Sequence, residues 1–217
     1  MTEETKKFTE NDRIFYGDGY RLAQSFLKEG LSNQSLFAAI ESLYSTIDEL
    51  NDSITAFAER QNMKIACFKG CHWCCHQAVY ANSYELHFLS EYLRKNFNPE
   101  ELNEVAKRSV QKYAVTSELN EHDILNYKSP CPLLKDGACS VYSARPVACR
   151  IYLSTNLDSC LGFYNHPDHE TNYPQLLDFP LRAGRLMNEG FRAALKETGV
   201  ETAEFRLEEG LSILFKN

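Results

Sequence analysis

Eight cysteines carry the chemistry of this sequence: Cys67, Cys71, Cys74, Cys75, Cys131, Cys139, Cys149 and Cys160. All fall in a 94-residue window, with none in the 66 residues before it or the 57 after. In a reducing compartment, clustered cysteines more often bind metal or do redox chemistry than form structural disulfides. The first four stand at relative positions 0, +4, +7 and +8. On a helix of 3.6 residues per turn these directions span about 100°, so all four sulfurs can face one point. The preferred arrangement has a turn at Gly70, Cys67 in a loop, and Cys71, Cys74 and Cys75 at a helix start. A helix N-terminus lowers thiol pKa and stabilises the thiolate, the form that binds metal. Free buried cysteines do not usually cluster within nine residues. His72 and His76 lie one helical turn apart, either as further ligands or as surface residues beside the site. Trp73, the only tryptophan, is expected to pack over the site.

The second group is built differently. Cys131-Pro132-Leu133-Leu134-Lys135-Asp136-Gly137-Ala138-Cys139 places two cysteines at the ends of a hairpin closed by an Asp-Gly turn. A tight turn brings such ends together, as in zinc ribbons. In Arg145-Pro146-Val147-Ala148-Cys149-Arg150, Pro146 starts a short helix that carries Cys149. Four thiolates around a divalent metal or an oxidised four-iron cluster leave a formal charge of about −2. Arg145 and Arg150 are candidates to offset that charge, with ordinary surface ion pairing as the alternative. More than four sulfurs suit a four-iron cluster or a multinuclear zinc site.

Taken together, the motifs Cys-x3-Cys-x2-Cys-Cys at 67–75, Cys-Pro-Leu-Leu at 131–134, Gly-x-Cys-x-Val-Tyr at 137–142 and Arg-Pro-x-x-Cys-Arg at 145–150 resemble the YkgJ-type cysteine-cluster family. The resemblance covers roughly residues 67–153. It implies a zinc- or iron-chelating domain, often described as an iron–sulfur protein. It also implies that Cys67, Cys71, Cys74, Cys75, Cys131, Cys139 and Cys149 form one metal-binding unit. Cys160 lies beyond the well-matched part; it is kept as a candidate ligand and expected to be the most dispensable. Cys67-x3-Cys71-x-Trp73-Cys74 also fits the three-cysteine motif of radical S-adenosylmethionine enzymes. Its context argues against that reading: a long heptad helix precedes it, and no alternation of strands and helices follows.

The elements that must position these residues are mostly helices. The expected fold is mainly α, with a central cysteine-rich knuckle and one short β-hairpin. Residues 13–28 read as a helix ending at Gly30. Leu36, Ile40, Leu43, Ile47, Leu50, Ile54 and Phe57 alternate four and three apart, which predicts one helix from about Ser32 to Asn62. An intramolecular hairpin is preferred over a dimerising coiled coil for its seam. Further helices are expected over 83–97, 99–118, 178–197 and 202–215, with residues 154–175 as a loop. The segments are assigned as an N-terminal helical hairpin (1–62), a cysteine-cluster metal-binding domain (63–160) and a C-terminal helical segment completing the same domain (161–217).

The chain has 217 residues, enough to bury a core without disulfides. Its net charge of −7 argues against a general nucleic-acid binder. No apolar run is long enough for a membrane span, and the polar start suggests no secretory signal, so the cytoplasm is expected. No Gly-rich phosphate loop, Gly-x-Ser-x-Gly elbow or His-Glu-x-x-His occurs. The expected function is metal binding, with an iron–sulfur cluster ahead of zinc and a redox or group-transfer role. The alternative is a zinc-stapled module that binds a protein partner.

Overall fold

The structure is a computed structural model that describes residues 8–68, 70–169 and 171–215. Nine α-helices and two short two-stranded sheets are found among the described residues. The first helix, α1 (Glu10–Leu27), starts at Thr9, whose side chain and that of Asp12 cap each other's backbone amides. The heptad segment forms α2 (Asn33–Arg60), again started by a reciprocal cap, Ser32 with Ser35. Leu36, Ile40, Leu43 and Ile47 are buried, Leu50 and Ile54 only partly, and Phe57 is 55 % exposed. A straight helix turns by 3.6 residues, so a 3.5-residue stripe drifts off the packed face by about 20° per heptad. At the far end Asn51 and Ala58 take the inward positions instead.

The next elements are β1 (Tyr80–Asn82), α3 (Ser83–Asn96), α4 (Pro99–Thr116) and α5 (Glu121–Asn126). The hairpin is β2 (Leu134–Lys135) and β3 (Ala138–Cys139), paired with Leu134 opposite Cys139. Its turn holds Asp136 and Gly137 at positive φ, the geometry an Asp-Gly turn supplies. Then come α6 (Val147–Arg150), α7 (Leu157–Asn165), α8 (Asp178–Glu197), β4 (Glu204–Arg206) and α9 (Leu207–Leu214). Helix α7 falls in the stretch expected to be loop. It is short and started by Asn156, whose side chain accepts from Ser159 N. The start of the expected 202–215 helix is instead β4, which pairs antiparallel with β1.

Helix α1 lies along α8, and α2 contacts α1, α3, α6 and α8. The approach of α1 to α8 depends on two glycines. A Cβ on Gly190 would stand 1.9 Å from Tyr16 O, and one on Gly19 would stand 1.9 Å from Met187 O. Asp12, only 2 % exposed, is gripped by Arg182 of α8 through Nε (2.6 Å) and Nη2 (2.5 Å). Among the described residues, no helix is long and apolar enough to cross a membrane.

Candidate metal centre

The first cysteine segment is not a regular helix start. Gly70 adopts φ +100°, and Cys71 N donates to Phe68 O (3.0 Å) across that turn. Cys74 and Cys75 then sit on a single 3-10 turn, Trp73–His76. Cys67 lies beside the residues that follow α6. Ala66 N donates to Ser154 O (2.7 Å), and Ser154 N donates to Cys67 Sγ (3.2 Å). The second segment docks directly on the first: Cys131 N donates to Cys75 O (2.7 Å), and Ser129 N donates to His76 O (3.0 Å). These two bonds join stretches 56 residues apart. Cys139 enters from β3 and Cys149 from α6. Cys67, Cys71, Cys74, Cys75, Cys131, Cys139 and Cys149 all line one cavity of about 1090 Å³. Cys160 does not line it. That residue is buried in α7, which packs on the 3-10 turn and sets Tyr164 against Trp73 (5.2 Å) and His76 (4.9 Å). His72 stacks on Trp73 (4.8 Å) and, like His76, lies outside the cavity wall.

Burial makes thiolates costly here. It pushes Cys67 and Cys131 up to about 11, and raises Cys71, Cys139 and, most strongly, Cys149. Four of these sulfurs face a backbone N–H that works in the opposite direction, from Ser154, Trp73, Leu133 and Val141 respectively for Cys67, Cys71, Cys131 and Cys139. Such amides stabilise a thiolate and leave its other lone pairs free for metal. In the vicinal pair, the two neighbouring thiols act on each other in opposite senses. This holds Cys74 down at about 7 and raises Cys75 far above the ordinary thiol range.

The two arginines differ. Arg145 stacks over the Tyr142 ring (3.8 Å), donates to Tyr142 O (3.0 Å) and, at the longer distance of 3.5 Å, to Asp48, while its positive charge also acts on Cys74, Cys139 and Cys149. Arg150 is 1 % exposed, and its guanidinium is already engaged. It donates to Asp48, to Ser143 O and to Arg145 O, and stacks over Tyr44 (4.0 Å). It therefore fixes the loop that holds Arg145, while its own charge reaches Cys139 only weakly.

The sequence offers Glu85 only as an i, i+2 neighbour of His87, a pair that does not share a helix face, and the structure gives it a different part in the site. Glu85 is buried on the cavity wall and accepts from Val147 N (2.8 Å), the first residue of α6, and from Tyr44 Oη (3.2 Å). Its other oxygen accepts from Asn82 N and Asn82 Nδ2, both at 3.0 Å. It thus ties the helix of Cys149 to the start of α3. The signal was present as Asn82-x-x-Glu85 before an apolar run, a capping-box pattern.

The donor set is all sulfur, the chemistry of zinc and iron sites. Among the described residues, no three His, Cys, Asp or Glu side chains gather closely enough to hold a single metal ion. With Zn–S bonds of about 2.3 Å, four thiolates on one zinc stand about 3.8 Å apart. The seven cysteines share one cavity, and they are more sulfurs than one tetrahedral zinc takes. Residues 66–174 match the CxxCxxCC family, described as "Putative zinc- or iron-chelating domain". The match spans half of the chain, and the protein belongs to this family. Its cofactor class is accordingly zinc or iron. Neither the curated proteins nor the solved structures contain a match to the chain.

Proposed function

We propose that this protein holds an iron–sulfur cluster in the cysteine-lined cavity and serves redox or group-transfer chemistry there. The observation that carries the proposal is the wall itself: seven cysteines from two distant segments on one cavity, more sulfurs than one tetrahedral zinc takes. Cys67, Cys71, Cys74, Cys75, Cys131, Cys139 and Cys149 are the proposed ligand pool, with Cys160 outside it. Such a cluster, when bound, supplies one-electron chemistry at sulfur-ligated iron. The chain's own groups prepare that site. Backbone amides of Trp73, Leu133, Val141 and Ser154 favour thiolate over thiol. Arg145 offsets the negative charge of a thiolate centre. Trp73, His76 and Tyr164 pack together on the side of the 3-10 turn.

Anaerobic purification followed by iron, zinc and acid-labile sulfide analysis tests the proposal. Iron and sulfide in comparable amounts, with a brown colour, are expected. A colourless protein with stoichiometric zinc and no sulfide would reject the cluster in favour of a zinc-stapled module.

A further inference from the structure

Two buried charged groups stand behind the second cysteine segment, outside the cavity wall. The buried positions of α4 are Val105, Ser109, Lys112 and Thr116, spaced four, three and four apart on one face. Lysines are almost never buried unless paired. Lys112 is 8 % exposed, and its Nζ donates to Ser129 O at 3.0 Å. Ser129 N in turn holds His76 O, and two residues later Cys131 N holds Cys75 O. Lys112 thus grips the loop that docks one cysteine segment on the other. Glu208 is 1 % exposed in the first turn of α9, where a helix N-terminus favours a carboxylate. Thr116 Oγ1 donates to Glu208 Oε1 at 2.9 Å. Lys112, Thr116, Arg206 and Glu208 all line one small cavity of about 10 Å³, room for a single water at most. Arg206 is already engaged, by Thr116 O and by Glu209 (3.6 Å).

Stabilising the fold would explain a closed ion pair. Among the described residues, however, Lys112 and Glu208 form no ion pair within 4.0 Å, so neither cancels the other's field at close range. Buried charges are also screened far less than exposed ones. Desolvation raises the Cys131 thiol; against it the positive charge of Lys112 favours the thiolate, while the negative charge of Glu208 disfavours it. Arg145 acts on Cys74, Cys139 and Cys149, so the cation that serves Cys131 is a separate one. We infer that Lys112 and Glu208 are positioning residues of the metal centre, a buried pair of opposite charge that sets how tightly its Cys131 side holds metal. In an iron–sulfur cluster the same pair sets the reduction potential. Lys112 seats the loop of residues 129–131 and supplies positive charge there, and Glu208 limits that charge.

The inference rests on the proposed ligand role of Cys131 and not on which metal is bound. The test uses the full chain, purified anaerobically, with metal per chain measured first. Lys112→Met, Glu208→Gln, the double variant and Lys112→Arg are compared with wild type at one fixed pH. The readouts are the chelator concentration that removes half the metal, the melting temperature and, where iron and sulfide are present, the reduction potential. Positive charge stabilises a metal–thiolate centre and favours its more negative, reduced state. Lys112→Met should therefore lower the half-removal concentration about fivefold or more and lower the potential. Glu208→Gln should shift both upward. The double variant should return both toward wild type, because the two charges leave together, and Lys112→Arg should keep much of the affinity. Where Lys112→Met does not fold, the double variant, which strands no carboxylate, is read against Glu208→Gln and should hold metal less tightly. A purely structural role would weaken metal binding in both single variants and most in the double. That result, or unchanged retention in both single variants, would overturn the inference and leave the metal proposal standing. A wild-type chain without metal would fail the metal proposal itself, and this inference with it.

Discussion

At the scale of single residues, the two arginines of one motif have separable roles. Arg150 satisfies two carbonyls, Ser143 O and Arg145 O, at a position 1 % exposed. Leaving a buried acceptor unmet costs about 1–3 kcal/mol. Arg150→Met should therefore lose about 2–4 kcal/mol, allowing for the methionine's own packing, and melt about 4–16 °C lower. Arg145→Gln should melt close to wild type but hold metal less tightly, because its charge acts on three cysteines. Melting curves and metal retention against a chelator check both. Equal melting of Arg150→Met and wild type would refute the structural role. The cysteines and both arginines were visible in the sequence, since their types and spacing are local. The partners of Arg150 were not, because Asp48 and Tyr44 lie about a hundred residues away on α2. Nothing local in the sequence records which face of α2 they take.

At the scale of elements, helix positions followed from caps and periodicity, while packing did not. The start of α4 agrees with Pro99 and its Asn98 cap, and that of α8 with Pro180; Asp178, expected as the α8 cap, is instead its first residue, and Leu177 stands at the cap with no side-chain hydrogen bond. Helix α7 was missed because nine residues give too little periodicity to see. The pairing of β1 with β4 was invisible for another reason: three-residue strands over a hundred residues apart carry no local pattern. The α1–α8 contact is likewise non-local, and it makes two predictions. Gly190→Ala should lower the melting temperature by about 2–10 °C, because the added methyl meets the Tyr16 carbonyl. In open space the same change would raise it, through better helix propensity. The second concerns pH. Arg182 holds the Asp12 carboxyl well below its ordinary value of 3.8. A depressed carboxyl stabilises the fold above its unfolded pKa, and that contribution is lost as pH falls through the folded value. The stability gap between wild type and Asp12→Asn should thus be full at neutral pH. It should start to close only below about pH 4. Paired melts across that range test it, and a gap that closes near neutrality would contradict the assignment.

At the scale of the whole molecule, a helical shell holds two loop-rich cysteine segments together. The shell alone does not account for seven half-buried free thiols, most of them raised by desolvation. Metal binding displaces those protons and repays the desolvation, so folding and metal loading should be coupled. Stripping the metal should accordingly loosen the segments around Cys71 and Cys139 before it melts α1 and α8. Hydrogen exchange with and without metal would show this order. The ligand chemistry was legible from the sequence, and so was the helical class. That the two cysteine segments converge was expected as well; which other residues close the cavity around them was not, because it forms only when α2, α6, α8 and β1 meet. The central claim is that cysteines 56 residues apart serve one centre. The direct measurement is iron, zinc and sulfide per chain in Cys75→Ser, Cys149→Ser and Cys160→Ser, each purified anaerobically. The account predicts that Cys75→Ser and Cys149→Ser, one from each segment, both lose most of the metal, while Cys160→Ser stays close to wild type. Full metal in Cys149→Ser together with metal-free Cys160→Ser would contradict it.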